Sequence, residues 1–139
     1  GANLSKANLS YANLSQANLS NSKGLTNAKD FLKQFKQTRS GVYVYKGFGN
    51  TQYPINPKWV IKQGSYIEEV VNPNKQDDCG CGVNFGTKKW IEKNYPHSTI
   101  WLCLIEWVDA FDVVVPYNTD GKARCSRLKL IRLITKENR

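Results

Sequence analysis

Leucine recurs at every fifth position along the first twenty residues, at Leu4, Leu9, Leu14 and Leu19, each preceded by Ala-Asn and followed by Ser. A period of five fits neither the 3.6-residue turn of an α-helix nor the two-residue pleat of a strand. Asn and Ser at every step also compete with a helix for backbone hydrogen bonds. The pattern predicts a short-period solenoid in which each unit forms one side of a coil. It breaks after Leu19, where Gly24 stands in the place of the next leucine and Leu25 comes one residue late.

From residue 26 onward the periods become those of ordinary elements. Thr26 or Asn27 can cap a helix whose buried stripe is Ala28, Phe31, Leu32 and Phe35, with Gly41 as its stop. The run VYVYKGF, Val42 to Phe48, is β-branched and aromatic and predicts a strand. After Pro54 and Pro57, the runs WVIKQ and SYIEEVV flank Gly64 and predict a hairpin or a bulged pair. NPNKQDDCGCG is loop by composition, and Thr87 caps a short helix, TKKWIEKNY, that ends before Pro96. STIWLCLIEW, Ser98 to Trp107, is apolar on both alternating faces and predicts a central strand covered on both sides. A bend at 109–111, a strand DVVV and a turn PYNTDG follow. The last run, ARCSRLKLIRLI, alternates until it changes phase near Ile131, which predicts a bulge or a sheet edge. Two helices and about six strands, not strictly alternating, give an α+β domain with a mixed, mostly antiparallel sheet.

The Ala-Asn-Leu-Ser-Xaa units of residues 2–21 resemble the pentapeptide-repeat proteins. That resemblance implies a right-handed β-helix in which four units make one square coil, with the leucines pointing inward and the alanines packed beside them. One coil cannot bury its own apolar face. The expectation is therefore that residues 1–25 end a longer solenoid and that residues 26–139 are a separate α+β domain that caps it. Relatives that inhibit topoisomerases are thought to imitate acidic DNA, whereas this segment carries Lys6 and Lys23 and no carboxylate, the wrong sign for that role. A second resemblance rests on YKGF, CGCGVNFGTKKW, DVVVP and GKARCSRLKLIRLI in that order. The combination is similar to an uncharacterised domain found after pentapeptide repeats in proteins of phages and large DNA viruses. It implies a phage or viral source, with the host cytoplasm as location.

Charge refines the picture. The chain has 139 residues with 20 Lys+Arg against 11 Asp+Glu, a net charge of +9. Residues 1–39 contribute +5 and residues 122–139 contribute +6, while the stretch between sums to −2. The basic residues Lys29, Lys33, Lys36, Arg124, Arg127 and Lys129 are therefore the candidate cationic patch for phosphate or an acidic protein face. No apolar run reaches the roughly 18–20 residues that cross a bilayer, so the reading is a soluble, cytoplasmic protein without a membrane partner.

Candidate chemistry gathers around the glycine-rich stretch CGCGVNFG. Cys79 and Cys81 sit there as Cys-x-Cys, with Cys103 and Cys125 on later strands. Zinc at these four is disfavoured, because strong zinc patterns repeat a close cysteine pair and here the second pair is 22 positions apart. Glycine amides can approach an anion, but no phosphate-binding motif is matched, so no cofactor is assigned. A strand with YKG, a glycine-rich segment and NFGT opening a helix are similar in order to ADP-ribosyltransferase-like folds. That likeness places Lys46 and Asn84 near a nucleotide. The family's Arg or His at the Lys46 position and its Gln-x-Glu motif are not matched. Lys46, Cys79, Cys81 and Asn84 are thus the candidate ligand-binding residues, and none is assigned a catalytic role. His97, the lone histidine, is expected in an exposed loop, and Glu106, Asp109 and Asp112 are expected to solvate a strand end. Tyr43, Tyr45, Lys46 and Phe48, or Lys88, Lys89 and Trp90, interleave aromatic and basic groups as single-stranded nucleic-acid sites do. The leading expectation is a nonenzymatic interaction module with a protein partner or a second copy. A nucleotide-binding enzyme and a basic nucleic-acid binder are the alternatives.

Overall fold

The computed structural model describes residues 27–51, 54–78 and 80–135. The leucine repeat, and with it the expected coil, lies outside the described residues, as does Cys79. Helix α1, Ala28–Leu32, is capped by Asn27, whose Oδ1 accepts a hydrogen bond of 2.8 Å from the Asp30 amide. It ends nine residues before the expected stop at Gly41, yet Phe31, Leu32 and Phe35 are all buried as the apolar spacing requires. Gly41 instead opens strand β1, Gly41–Phe48.

The sheet has six strands. Beside β1 these are β2 (Tyr66–Glu68), β3 (Val83–Gly86), β4 (Thr99–Glu106), β5 (Lys122–Cys125) and β6 (Arg127–Ile134), in the order β2-β6-β4-β1-β3-β5. Every registered pairing is antiparallel, so the mixed sheet expected from sequence is antiparallel throughout the described residues. Central β4 is buried on both faces, with Ile100, Cys103 and Ile105 fully enclosed. Helix α2, Lys88–Asn94, begins where Thr87 Oγ1 accepts from the Trp90 amide at 3.0 Å. A third helix, α3 (Trp107–Ala110), occupies the predicted bend, so the described residues contain three helices rather than two.

Three further expectations give way to tertiary structure. WVIKQ forms no strand. Asn56 Oδ1 accepts from the Lys58 amide at 2.9 Å and its carbonyl accepts from the Trp59 amide at 3.0 Å, a turn that Pro54 and Pro57 reinforce. The intended partner, β2, pairs with β6 through Ile67↔Leu128 instead. DVVV makes only an isolated bridge, Val114↔Arg124, although Val113, Val114 and Val115 are buried. VNFG, read as glycine-rich loop, is strand β3 because Val83 and Phe85 alternate onto the core. The phase change near Ile131 is a bulge: Leu102 faces Arg132 and Cys103 faces Leu130, leaving Ile131 unmatched.

One face of the sheet carries the main core. Val42, Val44 and Phe48 of β1, Val83 and Phe85 of β3, Cys103 and Ile105 of β4, and Leu128 and Leu130 of β6 pack there under Phe31, Leu32 and Phe35. Phe85 meets Phe31 and Phe35 with ring centroids 6.2 and 6.1 Å away, edge to face. On the other face, α2 lays Ile91 against Ile100 and Ile134.

Candidate ligand-binding cleft

Strands β1 and β3 are in register at one pair, Tyr45↔Gly86. Towards Phe48 no further ladder pair forms, and the sheet opens there into a cleft of about 470 Å³. That size suits a small organic molecule, for which pockets run from roughly 300 to 1,000 Å³. Lys46, Phe48, Asn84, Phe85 and Lys122 come from the sheet, Trp90, Ile91 and Tyr95 from α2 and its end, and Trp59 from the proline-flanked turn. Gly47 lets α2 approach closely, since a Cβ at that position would lie 2.6 Å from Ser98 Oγ and 3.0 Å from Ile91 Cγ2.

Lys46 stands on the core face of β1, only 9% exposed. Its Nζ donates to the Asn84 carbonyl at 2.6 Å and lies 5.3 and 5.4 Å from the ring centroids of Phe48 and Trp59. The bond spans the split from β1 to the Asn84 carbonyl of β3. Among the described residues Lys46 forms no ion pair. Burial therefore pulls its ammonium down from 10.5 to about 8; the Cys103 and Cys125 thiols oppose this and the Lys122 charge adds to it. The Asn84 amide nitrogen reaches the Gly80 and Gly82 carbonyls only at 3.5 and 3.4 Å. Its Oδ1 is buried with no hydrogen-bond partner among the described residues.

The lowered Lys46 value fixes a sign for stability against pH. Between about 8 and 10.5 the unfolded chain holds the Lys46 proton and the folded chain releases it. Folding is then favoured as pH rises through that window, and the penalty for burying the charge is fully present below it. The stability difference, wild type minus Lys46→Met, should be flat below pH 8 and rise by about 3 kcal/mol by pH 10.5. Urea melts of both proteins across that range check it; parallel pH profiles would contradict it.

Of the residues singled out from sequence, the structure brings Lys46, Cys81 and Asn84 into this one cleft. Cys81 is exposed at its edge, while Cys103 and Cys125 are wholly buried. Burial pushes the Cys125 thiol up to about 12 and raises Cys103 well above its usual range, so both are protonated, poor nucleophiles at neutral pH. Among the described residues no cluster of three or more His, Cys, Asp or Glu could hold a metal ion. Glu69 also lines the cleft, its carboxylate accepting from Asn56 Nδ2 at 3.0 Å and from the Val70 amide at 3.1 Å. Sequence reading missed Trp59, Glu69 and Lys122 as cleft residues. The two prolines just before Trp59, Pro54 and Pro57, were the available sign that it sits in a turn.

The basic residues part company. Lys29, Lys33 and Lys36 are exposed. Arg124, expected in the same cationic patch, is fully buried. Its guanidinium donates to the carbonyls of Asn72 at 2.8 Å, Asp77 at 2.9 Å and Asn74 at 2.7 Å, and so pins the loop that leads into Gly80 and Cys81. Arg127 pairs with Asp109 at 2.9 Å and Glu106 at 3.6 Å and stacks over Tyr66. Asp112 accepts from Ser126, so all three acidic residues near that strand end have partners. Lys129 Nζ lies 5.6 Å from the centroid of the same Tyr66 ring, and His97 is exposed. A second, broader groove on the opposite face of the sheet gathers Lys36, Tyr43, Tyr45, Lys88 and Arg132.

A family model described as pentapeptide repeats (8 copies) matches residues 1–23. Residues 1–23 are a pentapeptide-repeat segment. Such repeats suggest a protein-interaction or structural role. No curated protein and no solved structure matches the chain. Among the described residues no helix is long and apolar enough to cross a membrane.

Proposed function

We propose that residues 26–139 are a small-molecule-binding domain carried by the pentapeptide-repeat segment of residues 1–25. The observation that carries this reading is the cleft at the split between β1 and β3. It combines a buried cation, aromatic walls and an unsatisfied amide oxygen in one concave site. A ligand with a flat apolar body and an anionic group fits that inventory. The body would stack near Trp59 and Phe48, and the anion would meet Lys46 and Lys122. Nucleotides have this build, which agrees with the likeness in order to ADP-ribosyltransferase-like folds. The domain acts as a binding module, displayed to a protein partner or a second copy by the repeats. The likeness of YKGF, CGCGVNFGTKKW and DVVVP to a domain of phage and large-virus proteins supports a viral source and a host-cytoplasmic setting.

Trp59 and Trp90 line the cleft, so their fluorescence reports occupancy directly. Titration with adenosine diphosphate and with nicotinamide adenine dinucleotide should give saturable quenching in at least one case. Lys46→Met should weaken it about tenfold or more, as loss of a charge-assisted hydrogen bond does. Absence of saturation at about millimolar concentration with either ligand would sink the reading.

The second groove favours one other reading. Lys36, Lys88 and Arg132 interleaved with Tyr43 and Tyr45 offer phosphate contacts beside stacking platforms for single-stranded nucleic acid. Oligonucleotide binding that falls steeply with salt and is lost in a Lys36→Gln, Lys88→Gln double variant would support it. Binding indifferent to salt, or to both substitutions, would count against it.

A further inference from the structure

Most buried lysines are kept charged by a carboxylate. Lys46 has a backbone carbonyl and two aromatic rings instead, and it lines a cavity. Such an amine can donate one hydrogen to the Asn84 carbonyl and still direct its lone pair elsewhere. Two neighbours shape a reaction site: the rings of Phe48 and Trp59, centred 5.3 and 5.4 Å from the amine, give a flat electrophile an aromatic surface to lie against.

We propose that Lys46 captures carbonyl compounds reversibly, forming an imine with an aromatic aldehyde that carries an anionic group. This rests on the reading of the cleft as a ligand site and names the class of ligand it takes. The neutral amine adds its lone pair to the aldehyde carbon, and the carbonyl oxygen takes a proton to give a carbinolamine. Departure of the hydroxyl with a second proton as water leaves the carbon–nitrogen double bond. Both amine hydrogens leave in the water, and nothing is oxidised or reduced. The anionic group sits towards Lys122, which lines the same cleft.

The charged and titratable groups around Lys46 come from every packed element. Cys103 on β4 and Cys125 on β5 lie beneath it, Lys122 on β5 beside it, and Glu69 lines the cleft after β2. With a value of about 8, Lys46 has on the order of a hundredfold more neutral amine near pH 7.5 than a solvent-exposed lysine. Imine formation, which needs the free amine, is favoured accordingly over the surface lysines.

The test treats the full chain with 4-carboxybenzaldehyde and sodium cyanoborohydride, whose hydride reduces any imine to a stable secondary amine, and maps the added mass by peptide. The expected result is one predominant adduct, at Lys46. It should be absent in Lys46→Arg, which keeps the buried cation, and weakened severalfold in Lys122→Gln. Melting curves confirm that both variants fold; Lys46→Met serves if the arginine variant does not. Labelling spread over surface lysines without enrichment at Lys46 overturns the inference. A parallel titration with 4-methylbenzoate, which has no carbonyl electrophile, separates the two claims. If it quenches the cleft tryptophans while the aldehyde leaves no adduct at Lys46, imine formation is refuted and the binding site stands. If neither molecule engages the cleft, both fall.

Discussion

Arg124→Met is expected to cost about 3–5 kcal/mol of folding stability, because one substitution removes the donors of three loop carbonyls. Three carbonyls, those of Asn72, Asn74 and Asp77, lose their donor at once. Each hydrogen bond to a charged group contributes about 1.5–3 kcal/mol, and an unpaired buried carbonyl adds a desolvation cost of its own. Methionine has a similar length, so cavity formation is minor and the effect isolates the hydrogen bonds. Arg124→Lys should do almost as badly, because one ammonium on a flexible stem cannot reproduce the planar fork that reaches three acceptors. Against a typical domain stability of about 5–15 kcal/mol, either change puts the fold at risk. Urea melts measure it directly, and a loss under about 1 kcal/mol would show that the loop holds without the guanidinium. In any variant that still folds, the wall at Gly80 and Cys81 should loosen and ligand quenching should weaken with it.

Phe85→Ala should be comparably severe, at about 3–5 kcal/mol. Phe85 is 2% exposed and is the ring against which both Phe31 and Phe35 rest. Helix α1 is five residues long, too short to persist by its own propensity, so its attachment depends on those aromatic contacts. Truncation should therefore release α1 before the sheet melts. Hydrogen exchange would show this as lost protection at Phe31 and Phe35 while β4 amides stay protected. Equal loss of protection across the sheet would argue instead for a single cooperative unit.

How much was legible in the sequence depended on whether a segment's signal was local. The strands at 42–48 and 99–106 were readable because β-branched and aromatic residues run long enough to exclude a helix, and Thr87 marked its helix through side-chain capping. The bulge announced itself as a phase change at Ile131. Short elements were not readable. Four residues of β3 between glycines carry two apolar positions, which any loop could also carry, and only the neighbours on either side define the strand. Trp59 looked like strand by composition, yet the Asn56 turn and its own Nε1 bond to the Glu68 carbonyl fix it elsewhere. Lys46 and Asn84 were singled out through the likeness in order to ADP-ribosyltransferase-like folds and Cys81 through its glycine-rich surroundings, and the three line one cleft. Arg124 was misplaced for a plain reason: charge counted along a chain says nothing about three carbonyls supplied by a loop some fifty residues earlier.

The lone rung between β1 and β3 has a mechanical corollary. A side chain, not the backbone ladder, fastens the two strands where they part, and that fastener is the same ammonium an occupant would claim. An occupant that drew the ammonium away would unbutton one seam of the sheet, and its arrival would be written into how firmly β3 is held.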